Sequence, residues 1–253
     1  AYKLKYASSS YSCSKALLGT IESDVSGKFG RWEKEKFRAE KLAVMSANCK
    51  GIKHILDIGG GNLIASSYFV RKGFIVDVCD FDSSPYISKE ALKKSGINRF
   101  INGDFNTIDF SNKKYDLIWA SHVLEHQPNL HNFILKILSV ISNNGYLSVA
   151  VPPRKPFIVS GHINLFNPGL LIYRLVLAGL DCSNAKVFQY DGNICFFGKV
   201  KKVTLPKLNY DVGDIELLSK YFPNSPSDGF NGDFMFCNLS KSEIDMIYEN
   251  IDI

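Results

Sequence analysis

Short apolar runs alternate with helical segments between residues 54 and 151, and this alternation constrains the fold more than any other feature of the sequence. Runs of four to seven residues are typical of buried strands rather than of helices. Strands that alternate with helices predict an α/β protein with a doubly wound, mostly parallel sheet. The predicted strands are 54–58, 74–80, 99–102, 115–121 and 146–151, and the predicted helices between them are 63–72, a segment that starts at Ser84-Pro85, and 129–142.

Further elements are predicted on both sides of this region. Residues 31–48 predict a first helix, and Asn143-Asn144-Gly145 predicts a turn. Asn167-Pro168 predicts the start of a helix that ends at Gly179. A hairpin is predicted around Asp191-Gly192-Asn193, between strands 186–190 and 194–200, and it would give the sheet an antiparallel edge.

Charge divides the chain near residue 202. Residues 203–253 contain three Lys and nine Asp or Glu, a net charge of −6, whereas the whole chain carries +5, so residues 1–202 carry +11. We predict an N-terminal arm (1–30), a sheet domain (31–202) and an acidic C-terminal appendage (203–253). The charge contrast predicts that the appendage docks on the basic body, either as a lid over the substrate or as a small packed module.

Composition excludes several classes of protein. A net charge of +5 over 253 residues is mild, and it predicts no nucleic-acid partner. The longest apolar stretch, residues 170–180, contains Arg174 and is too short to span a bilayer, so no membrane span is predicted. The polar N-terminus lacks the apolar core of a signal peptide, and the six cysteines form no CxxC pair. These features predict a cytoplasmic protein with reduced thiols and leave the oligomeric state open.

A glycine-rich loop follows the first predicted strand. It reads DIGGGN over residues 57–62, and the helix after it presents free N–H groups at its start. Asp80 ends the second predicted strand, 19 residues after Gly61, a spacing that suits a carboxylate bound to ribose hydroxyls. Because doubly wound sheets bind ligands at the carboxyl ends of their strands, this pair of features predicts a nucleotide or nucleoside site.

Two cofactor classes compete for such a site. A nicotinamide-dependent oxidoreductase of the Rossmann type expects G-x-G-x-x-G, but Ile64 stands where the third glycine belongs. Asp57, directly before the loop, would repel a pyrophosphate, whereas it suits a ligand with a cationic group.

The motifs of this chain resemble, in order, those of class I S-adenosylmethionine-dependent methyltransferases. ILDIGGGN (55–62) is similar to their first motif, and GFIVDVCD (73–80) is similar to their second-strand motif. The later motifs are matched by GDF (103–105), YDLIWASHVLEH (115–126) and NNGYLSVAVP (143–152). The resemblance covers about 31–202 and implies a Rossmann-like methyltransferase domain of the type 11/12/23-like kind with S-adenosyl-L-methionine as cofactor. Leu63 departs from the pattern, since many members have Gly there, and this predicts a less open loop.

The resemblance implies roles for individual residues. Asp57 would organise the loop near the methionine amine, Asp80 would hold the ribose, and Asp104 would bind adenine unless it only caps a turn. The backbone at Ala120 would contact the methionine end. The implied cofactor-binding residues are Asp57, Gly59, Gly60, Gly61, Asp80, Phe81, Asp104, Phe105 and Ala120.

Two histidines are candidate catalytic residues, because a hydroxyl acceptor needs a base. His122 follows the fourth predicted strand and His162 lies in the loop beyond the fifth, so both fall at the carboxyl edge of the sheet. His122 has an alternative role as a loop anchor paired with Glu125. The run HVLEH is not the HExxH pattern of zinc proteases, and no metal is predicted. Arg154-Lys155 would bind an anionic acceptor group or are ordinary loop charges.

The predicted function is the transfer of a methyl group from S-adenosylmethionine to a small-molecule, sugar or glycan, or lipid-precursor acceptor, at oxygen rather than nitrogen. Two alternatives stay open at this point. One is a nicotinamide-dependent oxidoreductase, and the other is a non-catalytic nucleoside-binding module of the same fold.

Overall fold

The computed structural model of the protein describes residues 37–249, which belong to one compact unit. The predicted N-terminal arm and the first residues of the predicted first helix lie outside this range. The helices are α1 Glu40–Ala47, α2 Ile64–Arg71, α3 Lys89–Lys94, α4 Leu130–Val140, α5 Pro168–Leu177, α6 Asp214–Leu218 and α7 Lys241–Glu249. The strands are β1 His54–Ile58, β2 Ile75–Asp80, β3 Arg99–Asn102, β4 Tyr115–Ser121, β5 Ile141–Val151, β6 Lys186–Tyr190 and β7 Asn193–Lys199.

The strands form one seven-stranded sheet in the order β3-β2-β1-β4-β5-β7-β6. The first five strands in this order are parallel to one another, and β7 runs antiparallel to both β5 and β6. The α/β class, the mostly parallel sheet and its antiparallel hairpin are therefore confirmed. The order reverses between β1 and β4, so the loops after these two strands meet at the carboxyl edge, where sheets of this kind bind ligands.

One helix start differs from its prediction. Helix α3 begins after Ser88, whose Oγ accepts a hydrogen bond from the Ala91 N–H at 3.0 Å, and the prediction of a start at Ser84-Pro85 was wrong. Ser84 instead belongs to a turn in which its N–H donates to the Phe81 carbonyl. A local turn thus replaces the predicted first residues of α3. Within the described residues, helix α1 begins at Glu40, after Ala39 in a left-handed conformation with φ 59°.

The predicted turn at residues 143–145 is an irregular stretch near the start of β5. Asn144 has φ 63°, a conformation that Asn tolerates better than most residues. The register with β4 shifts between Tyr115 and Leu117 at the same place. The residues predicted to form a turn are thus part of β5, with a local distortion of the strand. The strand ends at Val151, before Pro152-Pro153, as predicted.

The core lies in two layers, one on each face of the sheet. One layer contains the buried faces of α4 and α5, and the other contains α1, α2 and Trp119, whose ring packs edge-on against Phe69 at 5.3 Å. Segments of the acidic appendage enter both layers. Leu218, Phe222 and Phe236 join the first layer, and Ile244 joins the second.

The appendage is also attached by polar contacts. Asp233 pairs with Arg154 at 2.8 Å, and Asp245 pairs with Lys41 at 2.7 Å. The Gly169 N–H at the start of α5 donates to the Gly232 carbonyl at 2.6 Å. These contacts hold residues 203–249 against the sheet domain, while a role of the appendage as a lid stays a prediction.

We predict that Phe236→Ala lowers the free energy of unfolding by about 3–5 kcal/mol, because it removes a fully buried ring that packs on Phe222 and Phe230 at 5.3 and 5.1 Å. Urea denaturation measures this change. Phe234→Ala is the matched control, since Phe234 is 72% exposed and only two residues away, and it should change stability by less than about 0.5 kcal/mol. Equal effects of the two substitutions would show that the appendage does not contribute to the core.

Candidate active site

The glycine loop and the turn after β4 are in direct contact at the point where the strand order reverses. Gly59 has φ 73°, and a Cβ atom built on it would lie 2.5 Å from Cγ2 of Val123. A Cβ on Gly60 would lie 2.4 Å from Cγ1 of Val78. Only glycine fits at these two positions, so the loop lies close against the carboxyl ends of β2 and β4. Leu63 is buried beneath the loop and begins α2 with φ 62°.

Asp80 connects the end of β2 to the glycine loop. The Gly61 N–H donates to its Oδ2 at 2.9 Å, and the Phe81 N–H donates to its Oδ1 at 2.7 Å. Each carboxylate oxygen has a further lone pair that can accept another hydrogen bond. The carboxylate is thus held in place by the backbone and can still bind a pair of hydroxyl groups. Phe81, next to it, exposes about half of its side chain.

Asp57 is fully buried at the end of β1, and its Oδ2 accepts a hydrogen bond from the Ser66 hydroxyl at 2.5 Å. Burial raises the pKa of Asp57 to about 7, the Ser66 hydrogen bond opposes this rise, and the nearby charge of Asp80 adds to it. Ser66 was not predicted from the sequence. It lies in the first turn of α2. The sequence offers one weak signal for its role, a small hydroxyl residue early in the helix that follows the loop after Asp57.

Asp104 and Phe105 take the positions after β3. One oxygen of Asp104 accepts hydrogen bonds from both the backbone N–H and the side-chain amide of Asn106, each at 2.9 Å. Phe105 is buried, with its ring near those of Phe110 and Phe133 at 5.4 and 5.3 Å. The turn-capping contacts of Asp104 are therefore present, and the Phe105 side chain anchors the segment in the core.

Ala120 is buried in β4, paired with Ile58 of β1 and Val149 of β5. The chain leaves the sheet directly after it. His122, with φ 57°, still donates its backbone N–H to the Ala150 carbonyl at 2.8 Å. This turn places the side chains that follow β4 at the carboxyl edge of the sheet.

Both ring nitrogens of His122 face oxygen acceptors. Nδ1 lies 3.2 Å from Oε1 of Glu125, and Nε2 lies 2.8 Å from Oδ1 of Asn193. The Asn193 amide nitrogen donates to the carbonyls of Tyr190 and Asp191, which orients its oxygen toward the histidine. The Nε2 contact is a hydrogen bond, whereas Nδ1 lies at ion-pair distance from Glu125 without hydrogen-bond geometry. The ring is held in place on both sides, so the geometry favours the predicted anchoring role of His122 over that of a base.

His162 lies beside the same glutamate, in a loop that is hydrogen bonded to the turn after β4. The N–H groups of Ile163 and Asn164 donate to the Glu125 carbonyl at 2.9 and 3.0 Å. The His162 ring packs edge-on against His126, with centroids 5.0 Å apart. Burial lowers the pKa of His162, neighbouring positive groups lower it further, and Glu125 opposes them. The structure therefore brings both predicted catalytic histidines to one cluster with Glu125 and His126.

The cations predicted near the acceptor have partners. The Arg154 guanidinium donates to Asp233 of the appendage at 2.8 Å, and the Lys155 ammonium lies 5.5 Å from the centre of the Phe157 ring. Both lie in the loop between β5 and α5, which also contains His162. The pairing with Asp233 favours attachment of the appendage as the role of Arg154.

The fold and the arrangement of the glycine loop, Asp57 and Asp80 define a class I methyltransferase. Residues 29–181 match the family Methyltransf_23, described as a methyltransferase domain. This match covers more than half of the chain, and the protein belongs to that family. The chain therefore contains a methyltransferase domain of the S-adenosylmethionine-dependent class, and the family match does not support the oxidoreductase alternative.

Two curated relatives are ubiquinone biosynthesis O-methyltransferases. The mitochondrial protein of Schizosaccharomyces pombe is 29% identical over 113 residues, which are 42% of this chain and 40% of the relative. The protein of Rickettsia canadensis is 37% identical over 95 residues, which are 36% of this chain and 39% of the relative. The matched part therefore spans about two fifths of the length of these relatives.

A solved structure shares the fold. It is the 1,6-didemethyltoxoflavin-N1-methyltransferase of Burkholderia thailandensis with bound 1,6-didemethyltoxoflavin and S-adenosylhomocysteine. The TM-score is 0.52 at 16% sequence identity, and the match covers 64% of this chain and 77% of that chain.

The residues of the site fit S-adenosylmethionine, which supplies an electrophilic methyl group when bound. Asp80 offers acceptors for ribose hydroxyls, and the side-chain-free backbone at Gly59 and Gly60 leaves the loop surface open to a ligand. Asp57 supplies a buried carboxyl group that favours a cationic amine nearby.

We predict that Asp80→Asn weakens S-adenosylmethionine binding about 10- to 150-fold, because it replaces charge-assisted hydrogen bonds to the ribose by weaker ones. Isothermal titration calorimetry with S-adenosylmethionine measures the affinity. Asp82→Asn, an exposed carboxylate two residues away, is the control and should bind as the native protein does. An unchanged affinity of Asp80→Asn would refute the ribose role.

Asp57 also predicts a pH dependence of stability. Its pKa is about 7 when folded and about 4 when unfolded, so between these values the folded state holds a proton that the unfolded state has lost. This contribution to stability is complete below pH 4 and is lost as the pH rises to 7. Asp57→Asn should remove the slope, up to about 1.4 kcal/mol per pH unit, in urea denaturation at pH 5 and pH 8. Asp82→Asn, which changes an exposed carboxylate, is the control and should keep the native dependence of stability on pH. The prediction fails if Asp57→Asn shows the same dependence as this control.

Proposed function

We propose that the protein transfers the methyl group to a hydroxyl oxygen of a small lipid-precursor acceptor. The observation that carries this proposal is the cluster of His122, Glu125, His126 and His162 at the carboxyl edge, beside the glycine loop. An oxygen acceptor must lose a proton as it attacks the methyl carbon, whereas a neutral amine needs less help. A cluster of imidazole and carboxylate groups provides this activation.

His162 is the member of the cluster that we place next to the acceptor. His122 is engaged at both ring nitrogens, whereas His162 lies in the loop that follows β5 and faces the same edge of the sheet. The loop is fixed by its hydrogen bonds to the Glu125 carbonyl, which keeps the position of the imidazole constant. In this proposal the residues of the chain position the acceptor oxygen and remove its proton.

The surface around His162 supports a lipid precursor over a sugar or glycan. Four large apolar side chains of this loop are exposed: Phe157, Ile158, Ile163 and Leu165. Contact with hydrocarbon would remove this surface from water, and a sugar would gain little from it. The two relatives named as ubiquinone biosynthesis O-methyltransferases support the same choice.

No helix in residues 37–249 has the length and apolar character needed to cross a membrane. The cytoplasmic location stays a prediction from the sequence.

The proposal is tested by methyl transfer from labelled S-adenosylmethionine to four probes: a prenylated phenol, a simple phenol, a free sugar and a primary amine. We expect the prenylated phenol to be methylated at oxygen with the highest kcat/KM, because the apolar loop contacts the prenyl group. Preference for the amine would overturn the proposal of oxygen methylation, and equal rates with the two phenols would overturn the lipid-precursor assignment.

We further predict that His162→Ala lowers kcat with the prenylated phenol about 10²- to 10⁴-fold and leaves S-adenosylmethionine affinity unchanged, since the imidazole acts on the acceptor. Steady-state kinetics and calorimetry measure the two quantities. His131→Ala, an exposed histidine of α4, is the control and should retain activity. A native rate for His162→Ala would remove this residue from the proposal.

A further inference from the structure

Three side chains of the cluster direct ligating atoms to one point. Glu125, His126 and His162 each offer one atom, and these atoms all lie within 4.8 Å of one another. Glu125 and His126 are adjacent in the short 3-10 turn Leu124–His126, whereas His162 comes from the loop 36 residues further along the chain. The hydrogen bonds from Ile163 and Asn164 to the Glu125 carbonyl hold the two segments together.

The orientation of His126 fixes which of its nitrogens carries a proton. Its Nδ1 lies 2.8 Å from the Gly161 carbonyl oxygen, which can only accept a hydrogen bond, so Nδ1 carries the hydrogen. In the neutral ring, Nε2 then has a free lone pair, and this atom lies 3.8 Å from Oε1 of Glu125. Two electron-pair donors that face each other at this distance attract a cation between them.

Glu125 gives an independent indication of a bound cation, because its carboxylate lacks hydrogen bonds although the rings of His122 and His126 lie near it. Its side chain is fully buried, and within residues 37–249 neither carboxylate oxygen accepts a hydrogen bond. His122 Nδ1 approaches Oε1 at 3.2 Å without the geometry of a hydrogen bond. A buried carboxylate that lacks hydrogen bonds is costly, and coordination of a cation is one of the few ways to compensate it.

We propose that Glu125, His126 and His162 bind one divalent metal ion of the zinc class. Two imidazoles and one carboxylate are a donor set of catalytic zinc sites, which keep a further position open. Imidazole nitrogen favours zinc, cobalt or nickel over magnesium and calcium. The bond from His126 to the Gly161 carbonyl is the type of outer contact that orients metal-ligating histidines.

This inference deepens the proposed function. Only the role of the metal in the reaction rests on that function, and the binding of the ion does not. With the ion bound, His162 would hold the metal and would not accept the proton itself. An acceptor hydroxyl bound at the open position would then lose its proton to water more readily, because a divalent ion stabilises the oxyanion. The sequence pattern predicts no metal, since HVLEH lacks the HExxH spacing. The third ligand comes from a distant loop, so no local spacing could show it.

The test uses protein dialysed against EDTA and titrated with Co²⁺, followed by its visible absorption and by calorimetry, with Zn²⁺ as competitor. We expect one Co²⁺ per chain, displaced by Zn²⁺. His162→Ala and Glu125→Gln should each weaken binding at least about 100-fold, beyond the loss caused by removing an outer contact. His131→Ala and Cys237→Ser are the controls, and they should bind as the native protein does.

Two results would overturn the metal site. One is no stoichiometric binding of Co²⁺ or Zn²⁺, which would leave protonation of a neighbouring histidine as the compensation for Glu125. The other is native affinity in His162→Ala, because His162 supplies one of the three proposed ligating atoms. Methyl transfer by the EDTA-treated protein is measured separately. Metal binding without oxygen methylation contradicts the proposed function alone, and full activity without metal contradicts the role of the metal in the reaction alone.

Discussion

The site depends on the close approach of two backbone turns where the strand order reverses. β1 and β4 are neighbours in the sheet, and the chain leaves both at the same edge. Gly59 touches Val123 across this boundary, so the glycine loop and the turn with Glu125 form one surface. A side chain at Gly59 would separate the two turns, and the loop on one side would no longer face the histidines on the other.

Most of the fold was predictable because its signals are local. Short apolar runs predict β1, β3, β4 and β6 with the bounds that the structure has. The start of α3 was not predictable in this way, since both Ser84 and Ser88 can cap a helix and only the tertiary structure selects Ser88. Sequence patterns assign the type of an element better than its ends.

The site was predictable only in part, for a similar reason. Asp57 and Asp80 occupy strand ends, and their positions follow from the strand pattern. The hydrogen bond from Ser66 to Asp57 and the meeting of His162 with Glu125 join residues far apart in the sequence. Their proximity depends on the packing of a helix and of a loop, for which a single sequence has no periodic signal.

The appendage shows how charge and burial combine. Its acidic residues suggested a separate docking module, and two of them, Asp233 and Asp245, do pair with basic residues of the sheet domain. Two of its aromatic residues, Phe222 and Phe236, nevertheless lie within the core. The charge pattern therefore predicts the surface contacts of the appendage, but it does not predict which of its apolar residues are buried.

The burial of Phe236 and Ile244 has a consequence for synthesis of the protein. A ribosome adds these residues long after the last strand, β7, which ends at Lys199. Until they emerge, the nascent sheet exposes the apolar surface that they cover, and exposed surface of this kind makes an incomplete chain prone to aggregation. The order of synthesis thus leaves this apolar surface of the nascent sheet uncovered until the C-terminal residues emerge, which a domain ending at β7 would avoid.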